Sequence, residues 1–514
     1  MSSVNFEGKV FKWLMDQKFY HGFLPREDLP YVLKKKGDFI FRVNERTLGN
    51  SKRRDIVISI AWPDVPVDII SVNDIKNILI ERNYNAVWLD YTRSFHSLEA
   101  LFQFYRSSDI ANQNKERIKL IRPIGLFSWE FKHSQITLSK KVGQGAYGEV
   151  YKGKVKKVNK SFDAAIKAMR KDLDAGDEKM KEVMAEARLM RSLNHPNIVR
   201  CRGIAVFEQP VYIVIDFITG GGLDSFLKKN SKTLTMDQKN KMAISAAWGI
   251  EFMHSHDIIH RDIAARNCLY DQKNLVKLSD FGLARKGSVY RMKKAMKMPT
   301  RWLAPESLSS FIFSRASDVY TFGVLLYEIY TCQEPYVTVS AGEAKRLILS
   351  GTFPNLSKYA PPELTDIVRK HIYMLDPSKR ATMKELVKKL EGWLEVELVL
   401  DEEEKPEDPA VKTDSRRKPT EAVSSSSPMV SASPIVVQNT SEKPKKKTQI
   451  VPDSKISGKQ EIDSIQEQQA TTETMSVANK MVSSAKRGSG EMLMVPPDDE
   501  GKPSPKDNDY ENPK

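Results

Sequence analysis

One ten-residue run, HRDIAARNCL at 260–269, constrains the fold of this chain more than any other feature. It places a carboxylate, Asp262, five residues before a carboxamide, Asn267. A carboxylate can accept the proton of a substrate hydroxyl, and a carboxamide oxygen can hold a magnesium ion during phosphoryl transfer. Asp-Phe-Gly follows at 280–282 and Ala-Pro-Glu at 304–306. This order predicts a fold that gathers the three segments around one phosphate-bearing ligand.

A glycine-rich run upstream, GQGAYGEV, supplies a second part of such a site. Glycines let backbone amides approach phosphate oxygens without an intervening side chain. The positions expected to contact nucleotide are Val142, Gly143, Gly145, Gly148 and Val150. Lys167 ends a strand-like Ala-Ala-Ile-Lys run, and Glu186 follows on a helical period. We expect these two side chains to form the ion pair that orients the nucleotide phosphates.

Each of these motifs has an ordinary alternative when it stands alone. A glycine-rich run is often a turn or a dinucleotide loop, a Lys–Glu pair is often structural, and a lone aspartate is often exposed. Their common order argues against these alternatives, and the set resembles the protein kinases. The resemblance implies ATP and Mg2+ as cofactors. It assigns catalysis to Asp262, Lys167 and Arg266, and metal binding to Asn267 and Asp280.

The residues around the catalytic run indicate which hydroxyl is phosphorylated. Ile-Ala-Ala-Arg follows Asp262, and MPTRWLAPE spans 298–306; both resemble tyrosine kinases rather than serine/threonine kinases. The resemblance implies that Pro299 packs on the ring of a substrate tyrosine and that Trp302 supports it. In that arrangement a phenol reaches Asp262, whereas a short Ser or Thr hydroxyl does not.

The resemblance also describes the adenine pocket and the fold. The VYIVIDF run gives a bulky gatekeeper followed by a hinge whose backbone pairs with adenine; the expected pocket residues are Ile215, Phe217 and Ile218. The fold class is α+β, with a β-rich small lobe, a helical large lobe and ATP between them. Arg380 is expected to pair with Glu306 as a structural contact.

A second set of motifs precedes the kinase-like region. The run FYHGFLPREDLP, the strand-like FIFR ending at Arg42, and HSLEALFQFY at 96–105 resemble an SH2 domain. The resemblance implies an antiparallel sheet between two helices, with Arg42 and Arg26 binding a phosphotyrosine phosphate through planar guanidinium groups. The alternative is an arginine that is solvated or paired at a strand edge. Asn44 and Arg46 stand where hydroxyls are usual, so we expect weaker binding than in a typical SH2 domain.

Length and composition divide the chain. At 514 residues, two or three domains are expected. After residue 400 the sequence has no Phe, no Trp and a single Tyr, so it has little apolar surface to offset the entropy of ordering. The predicted divisions are an N-terminal extension at 1–18, an SH2 domain at 19–118, a linker at 119–135, a tyrosine kinase domain at 136–394 and a disordered tail at 395–514.

Charge is distributed unevenly between these parts. Residues 1–400 carry 64 Lys and Arg against 45 Asp and Glu, a net charge of +19, and residues 401–514 carry 17 against 21, a net charge of −4. A solvated basic surface is one interpretation, and weak salt-dependent attraction to acidic lipid or acidic substrates is the other. Since no nucleic-acid-binding motif is present, we exclude nucleic acid as a partner.

Several features indicate a cytoplasmic monomer. Three scattered cysteines are too few for a disulfide framework or a zinc site. The start of the chain is no signal peptide, and Ser2 replaces the glycine that myristoylation requires. Because no apolar run is long enough to span a bilayer, we expect any membrane contact to be peripheral, at the inner face of the plasma membrane.

The order of an SH2-like region, a short connector and a kinase-like region over roughly 19–394 resembles the Fes/Fer cytoplasmic tyrosine kinases. Since fewer than 20 residues precede the SH2-like region, we expect no counterpart of that family's membrane-curving N-terminal domain. Tyr320 replaces the usual Trp in SDVYTFG. The resemblance implies tyrosine phosphorylation in signal transduction, steered by docking to phosphotyrosine proteins. The alternative is a catalytically weak SH2/pseudokinase scaffold, although every essential catalytic residue is present.

Two tyrosines are candidates for regulation. Tyr290 lies between Asp-Phe-Gly and Ala-Pro-Glu, where such kinases are autophosphorylated, and Arg261 and Arg285 are expected to receive its phosphate. Tyr510 lies in DYENPK, and the asparagine two residues later resembles the ligand of adaptor SH2 domains. The alternative for Tyr510 is a solvated C-terminus with no partner.

Overall fold

The computed structural model describes most of the first 398 residues and two short segments after them. The described ranges are 3–48, 51–64, 67–90, 92–111, 117–144, 148–157, 160–169, 177–271, 275–398, 448–450 and 491–494. Tyr510 and Gly145, both expected to be functional, lie outside them.

The N-terminal module is a twisted sheet covered by helices. Its five-stranded sheet has the order β4-β3-β2-β1-β7, antiparallel except for the β1–β7 pair, and β5 and β6 form a separate ribbon. The strands are β1 Asp38–Leu48, β2 Ser51–Ala61, β3 Ile75–Arg82, β4 Val87–Trp88, β5 Ile110–Ala111, β6 Arg117–Ile118 and β7 Arg122–Pro123. The helices are α1 Ser3–Asp16, α2 Leu29–Val32 and α3 Leu98–Ser107.

Aromatic side chains hold two of these helices on one face of the sheet. Side chains alternate across a strand, so Phe39 and Phe41 share a face of β1, and both contact Phe102 of α3. Trp13 of α1 packs edge-on against Phe41, with ring centroids 6.3 Å apart. The segment 1–18, expected to be an extension, therefore contributes a helix to the core of this module.

The next module begins with an antiparallel sheet of order β11-β12-β10-β9-β8. Its strands are β8 Ile136–Gln144, β9 Gly148–Lys157, β10 Lys160–Met169, β11 Cys201–Ala205 and β12 Tyr212–Asp216. One helix, α4 Asp177–Arg191, packs against β11. This arrangement is the β-rich small lobe that the sequence predicted.

A helical lobe follows and carries the largest part of the apolar core. Its helices are α5 Leu223–Asn230, α6 Met236–Ser255, α7 Pro305–Ser310, α8 Arg315–Thr331, α9 Ala341–Leu349, α10 Pro362–His371 and α11 Met383–Leu394. Its strands are β13 Ile258–Ile259, β14 Cys268–Asp271, β15 Leu275–Leu278, β16 Arg285–Lys286, β17 Val289–Arg291, β18 Met296–Pro299 and β19 Ile312–Ser314. Helices α6 and α8 are buried around most of their circumference, as expected for helices at the centre of a lobe.

Three short strands lie in the region expected to be a disordered tail. β20 Val396–Leu398 pairs in parallel with β21 Thr448–Ile450, and β22 Glu491–Met494 pairs antiparallel with β18. Apart from 395–398 and the two strands β21 and β22, this region lies outside the described residues, so its predicted disorder stays a prediction. Low average hydropathy concealed a local run, EMLM, whose alternating methionines give it one apolar face.

The N-terminal module packs directly on the small lobe. The amide of Phe23 donates to the carbonyl of Val206 over 2.8 Å. A Cβ atom on the preceding residue, Gly22, would lie 2.3 Å from that carbonyl oxygen, and Gly22 has a φ of +59°. Only glycine fits this close approach without strain.

A buried ion pair extends the same interface to α4. The guanidinium of Arg188 makes two parallel hydrogen bonds to the carboxylate of Asp28, at 2.9 and 2.8 Å, and Asp28 is 1% exposed. On the connector, Glu130 accepts a 2.8 Å hydrogen bond from His21. α4 is thus held from outside its own lobe.

In the part of the chain that the structure describes, no helix combines the length and the apolar character needed to cross a bilayer.

Candidate active site

The small lobe brings together the lysine and glutamate predicted to pair. Lys167 on β10 lies 2.7 Å from Glu186 on α4, measured from Nζ to Oε1. The same Nζ is 4.0 Å from Asp280 Oδ1. Glu186 is buried, whereas the carboxylate of Asp280 is largely exposed in the cleft. The Lys167 ammonium thus lies between two carboxylates, and these three residues come from three separate motifs.

Strand register aligns the glycine-rich segment with this lysine. Val150 on β9 lies opposite Gly143 on β8 and opposite Lys167 on β10. Gly148 has a steric reason to be glycine, because a Cβ atom there would lie 1.9 Å from the carbonyl oxygen of Ala168. Val142 is half-buried at the end of β8. Of the predicted nucleotide contacts in this segment, only Gly145 falls outside the described residues.

The predicted hinge lies at the end of β12. Ile215 pairs with Ala165 of β10, is half-buried and packs against the apolar core. Phe217 and Ile218 follow directly, and the Lys152 ammonium stands 4.9 Å from the Phe217 ring centroid. Their role as an adenine pocket stays a prediction.

The catalytic run holds Asp262 from two sides. Arg266 donates to Oδ1 of Asp262, and the Asn267 side-chain amide donates to Oδ2 at 2.6 Å and to the Asp262 carbonyl at 2.8 Å. Because both of these Asn267 bonds use its nitrogen, the amide oxygen is directed away from Asp262. The Asn267 amide oxygen and the Asp280 carboxylate are the kind of ligand that Mg2+ prefers, so this donor set fits that ion.

Two carboxylates on α8 fix the backbone of the catalytic run. Asp318 accepts hydrogen bonds from the amides of His260 and Arg261, at 2.7 and 2.9 Å. Arg261 has a φ of +72°, a strained conformation for arginine that these bonds help to maintain. Asp318 belongs to the SDVYTFG run of the sequence.

The second carboxylate, Glu328, was missed. It accepts a 2.8 Å hydrogen bond from the amide of Ala265, and burial raises the pKa of Glu328 to about 7. A single acidic residue inside the apolar run GVLLYEIY was the available signal, since charged residues are seldom buried without a partner.

The segment after the catalytic run packs on it through aromatic contacts. The Arg266 guanidinium lies 4.5 Å from the ring centroid of Trp302, so the arginine that bonds Asp262 also supports the Met298–Glu306 segment. Arg380 donates two hydrogen bonds of 2.7 and 2.8 Å to the Glu306 carboxylate, which confirms the predicted pair.

Burial raises the pKa of the Cys268 thiol well above its ordinary value, so this cysteine at the end of the catalytic run is unreactive.

The predicted regulatory tyrosine lies under two arginines. Tyr290 belongs to β17 and pairs with Phe313 of β19. The guanidinium groups of Arg261 and Arg285 are 4.0 and 5.8 Å from its ring centroid. Both arginines expected to receive a phosphate on Tyr290 are therefore beside it.

The N-terminal module carries a separate candidate site on β1. Arg42 is 4% exposed and donates to Ser59 Oγ over 2.9 Å and to Asn77 Oδ1 over 3.0 Å, as well as to Asn44. Arg26 is exposed and donates weakly to the carbonyl of Val72, five residues before Asn77. The two arginines thus contact opposite ends of one segment, and sequence reasoning missed Ser59 and Asn77.

Comparison with known proteins agrees with this geometry. Residues 136–390 match the family model described as protein tyrosine and serine/threonine kinase. The chain is 30% identical over 395 residues to Fer-related kinase 1 of Caenorhabditis elegans, which covers 76% of this chain and 98% of that protein. It is 32% identical over 376 residues to the tyrosine-protein kinase transforming protein Fps of avian sarcoma virus (strain PRCII), covering 72% and 67%. It is 30% identical over 383 residues to tyrosine-protein kinase Fer of Homo sapiens, covering 74% and 44%.

The kinase family model implies ATP as the phosphate donor and proteins as the acceptors. The similarity to Fer-related kinase 1 extends over nearly the whole of that protein, so it is not confined to the catalytic motifs. The chain belongs to the Fer/Fps-like group of non-receptor protein tyrosine kinases.

Proposed function

We propose that Asp262 is the proton acceptor of this kinase and that an SH2 module directs the enzyme to phosphotyrosine-bearing proteins. The observation that carries the first part is the pair of donors, Arg266 and Asn267, that fixes the Asp262 carboxylate. A fixed carboxylate orients the tyrosyl hydroxyl and takes its proton as the oxygen attacks the terminal phosphorus of ATP.

The small lobe positions the nucleotide. Lys167, held by Glu186, binds the phosphates next to the glycine-rich strands β8 and β9, and the hinge after Ile215 receives the adenine. Asn267 and Asp280 would hold Mg2+, which would supply positive charge next to the phosphates. With these groups in place, the transferred phosphoryl passes to an oxygen positioned in line.

The large lobe selects tyrosine. Pro299 ends β18 beside Trp302, and Trp302 is nearly buried under the guanidinium of Arg266. In this proposal the ring of a substrate tyrosine packs on Pro299, so that its phenol hydroxyl reaches Asp262 and a shorter serine hydroxyl does not.

The N-terminal module has the architecture that an SH2 domain needs. Its antiparallel sheet carries Arg42 in the middle of β1, with the guanidinium held by neutral oxygens of Ser59 and Asn77. A phosphate group adds charge-assisted, paired hydrogen bonds to such a guanidinium, and Arg26 adds a second cation. The module also contacts α4, the helix that carries Glu186, through the Arg188–Asp28 pair.

Location and partners follow from the same features. The enzyme works in the cytoplasm as a monomer, and its net charge of +19 over residues 1–400 draws it to acidic membrane surfaces. Phosphorylated Tyr510 recruits an adaptor SH2 domain through the asparagine at +2. The enzyme thereby links phosphotyrosine recognition to phosphotyrosine production.

Phosphate transfer from labelled ATP to a Glu/Tyr polymer tests the catalytic proposal. The wild-type chain should label the polymer, Lys167→Met should not, and Lys388→Met, an exposed lysine of α11, should behave like wild type. Equal labelling by wild type and Lys167→Met would support the scaffold alternative, because the signal would then come from another source.

A further inference from the structure

The strand β22 covers a backbone edge next to the catalytic run. β22 pairs antiparallel with β18, and the register joins Met494 to Met296, Met492 to Met298 and Glu491 to Pro299. An exposed strand edge is a template for an extended peptide, which adds backbone hydrogen bonds and places alternate side chains in pockets. Among the described strands, β22 is the partner of β18 in its sheet.

The side chains of β22 divide by face. Met494 is 5% exposed, whereas the neighbouring Leu493 is 58% exposed. Met494 joins an apolar cluster that contains Met298, Trp302 and Phe313. Alternation along a strand places Met492 on the same face as Met494, and Met492 is half-buried. The contact is therefore a specific one, with two methionines turned into the large lobe.

The direction of β22 points its first residue toward the catalytic run. Pro299, opposite Glu491, is followed within three residues by Trp302. Trp302 stacks under Arg266, and Arg266 donates to Asp262. The opposite end of the pairing, at Met296, leads back toward the basic part of the segment. Of the four β22 residues, Glu491 therefore pairs with the β18 residue closest in sequence to Trp302, and contacts of Trp302 with Arg266 and of Arg266 with Asp262 connect this end of the pairing to the catalytic aspartate.

We propose that residues 491–494 are a pseudosubstrate strand that occupies the place of the acceptor peptide. Glu491 takes the position of the substrate tyrosine but has no phenol hydroxyl that could accept a phosphate. Met492 and Met494 fill the pockets for the substrate residues one and three positions after the tyrosine, called +1 and +3. This proposal rests on the proposed function, and it deepens it: the preferred substrate is a tyrosine followed by long apolar residues at +1 and +3. Residues 399–490 give 92 residues of chain between Leu398 and Glu491, enough for contact within one molecule.

Charge favours the same occupant. Lys293 and Lys294 precede β18 and Lys297 lies within it, whereas β22 begins with a glutamate and precedes Asp-Asp-Glu at 498–500. Because of these opposite charges, the acidic β22 segment should bind the β18 edge more tightly than a basic peptide would, most strongly at low ionic strength.

Two matched substitutions in the full-length chain test the autoinhibitory role. Met494→Asp should remove the buried anchor and lower the KM for a Tyr-Met-Leu-Met peptide at least threefold, with the KM for ATP unchanged. Leu493→Asp also introduces an aspartate into β22, but at an exposed position, so it should behave like wild type. Equal KM values for the two variants would overturn the proposal, and so would a fall in kcat of Met494→Asp without a change in KM.

A third substitution tests the register. In Glu491→Tyr, the introduced phenol oxygen should bond to the terminal phosphorus of ATP as the bond to ADP breaks, with the phenol proton passing to Asp262. Mass spectrometry should find phosphate at position 491, with a first-order rate that is independent of enzyme concentration. Leu493→Tyr should be labelled at least tenfold more slowly, and adding Met494→Asp to Glu491→Tyr should slow labelling similarly.

Different results would overturn the proposed catalytic function and the pseudosubstrate role of 491–494. If no variant phosphorylates any tyrosine peptide, the proposed catalytic function fails. If wild type phosphorylates the peptide but positions 491 and 493 are labelled equally, only the pseudosubstrate register fails. A rate at position 491 that rises with enzyme concentration would overturn the contact within one chain in favour of a second copy.

Discussion

At the residue scale, buried carboxylates determine the shape of the catalytic run. Asp318 and Glu328 accept backbone hydrogen bonds from residues on either side of Asp262, and they add to the bond that the Asn267 side chain of the run makes to the Asp262 carbonyl. Glu328 differs from Asp318 in that burial raises its pKa to about 7, which makes its charge sensitive to physiological pH.

The raised pKa predicts a pH-dependent stability. A carboxyl group with a folded pKa near 7 and an ordinary value of 4.5 favours folding fully below pH 4.5, and this contribution is lost as pH rises through 7. Relative to Glu328→Gln, the wild type should lose up to roughly 3 kcal/mol of unfolding free energy between pH 5 and pH 8. Urea unfolding of both proteins measures the difference. The unfolding free energy of Glu334→Gln, at an exposed ion pair, should change with pH as that of the wild type does. A difference between wild type and Glu328→Gln that does not change with pH would contradict the prediction.

Arg42 gives a second prediction at this scale. Arg42→Lys replaces a planar fork by a point charge and should weaken phosphotyrosine-peptide binding about tenfold or more, or roughly 1.4 kcal/mol. Calorimetry with phosphorylated and plain peptides measures this, and Arg93→Lys, an exposed arginine of the same module, is the control. Equal affinity for the two peptides would make the module a structural support rather than a binding domain.

At the element scale, α4 is shared between two modules. Its Glu186 pairs with Lys167 on one side, and its Arg188 pairs with Asp28 of the N-terminal module on the other. A helix is rigid over two residues, so displacement at Arg188 moves Glu186 as well. The position of this one helix therefore connects the N-terminal module to the nucleotide site.

Arg188→Ala tests that connection. Removing one partner of a buried pair leaves Asp28 uncompensated and costs roughly 3 kcal/mol at the interface. We expect a lower kcat and a higher KM for ATP, because Lys167 loses its fixed partner. Lys181→Ala on the same helix, whose exposed ammonium is 3.8 Å from Glu27, should change neither constant. Identical kinetic constants for the two variants would show that the Arg188–Asp28 pair does not influence the nucleotide site.

The segment carrying Tyr290 gives a further prediction. Phosphate on Tyr290 adds up to two negative charges beside Arg261 and Arg285, and hydrogen bonds to charged groups stabilise by about 1.5–3 kcal/mol. Tyr290→Phe keeps the stacked ring but removes the acceptor oxygen, so activity after incubation with ATP should fall about tenfold. Peptide mass spectrometry checks the site, and an active wild-type sample without phosphate at Tyr290 would contradict the prediction.

At the scale of the whole molecule, most of the catalytic architecture could be predicted from the sequence. Lys167–Glu186 and Glu306–Arg380 were predicted because each residue belongs to a motif whose order defines its partner. The packing of α1 and the pairing of β22 could not, because each depends on a surface contributed by distant residues. A short amphipathic segment in a polar tail has no local signal that identifies the edge it will join.

We propose that the whole molecule phosphorylates tyrosine with Asp262 as the proton acceptor. The most direct test is a single-turnover assay with labelled ATP and matched peptides that differ only in Tyr, Ser or Phe at the acceptor position. The wild type should label only the Tyr peptide. Asp262→Asn should slow that transfer by at least about a hundredfold while binding ATP normally, and Asp237→Asn, at the exposed start of α6, should leave it unchanged. Comparable transfer by Asp262→Asn, or equal labelling of the Ser and Tyr peptides, would contradict the account.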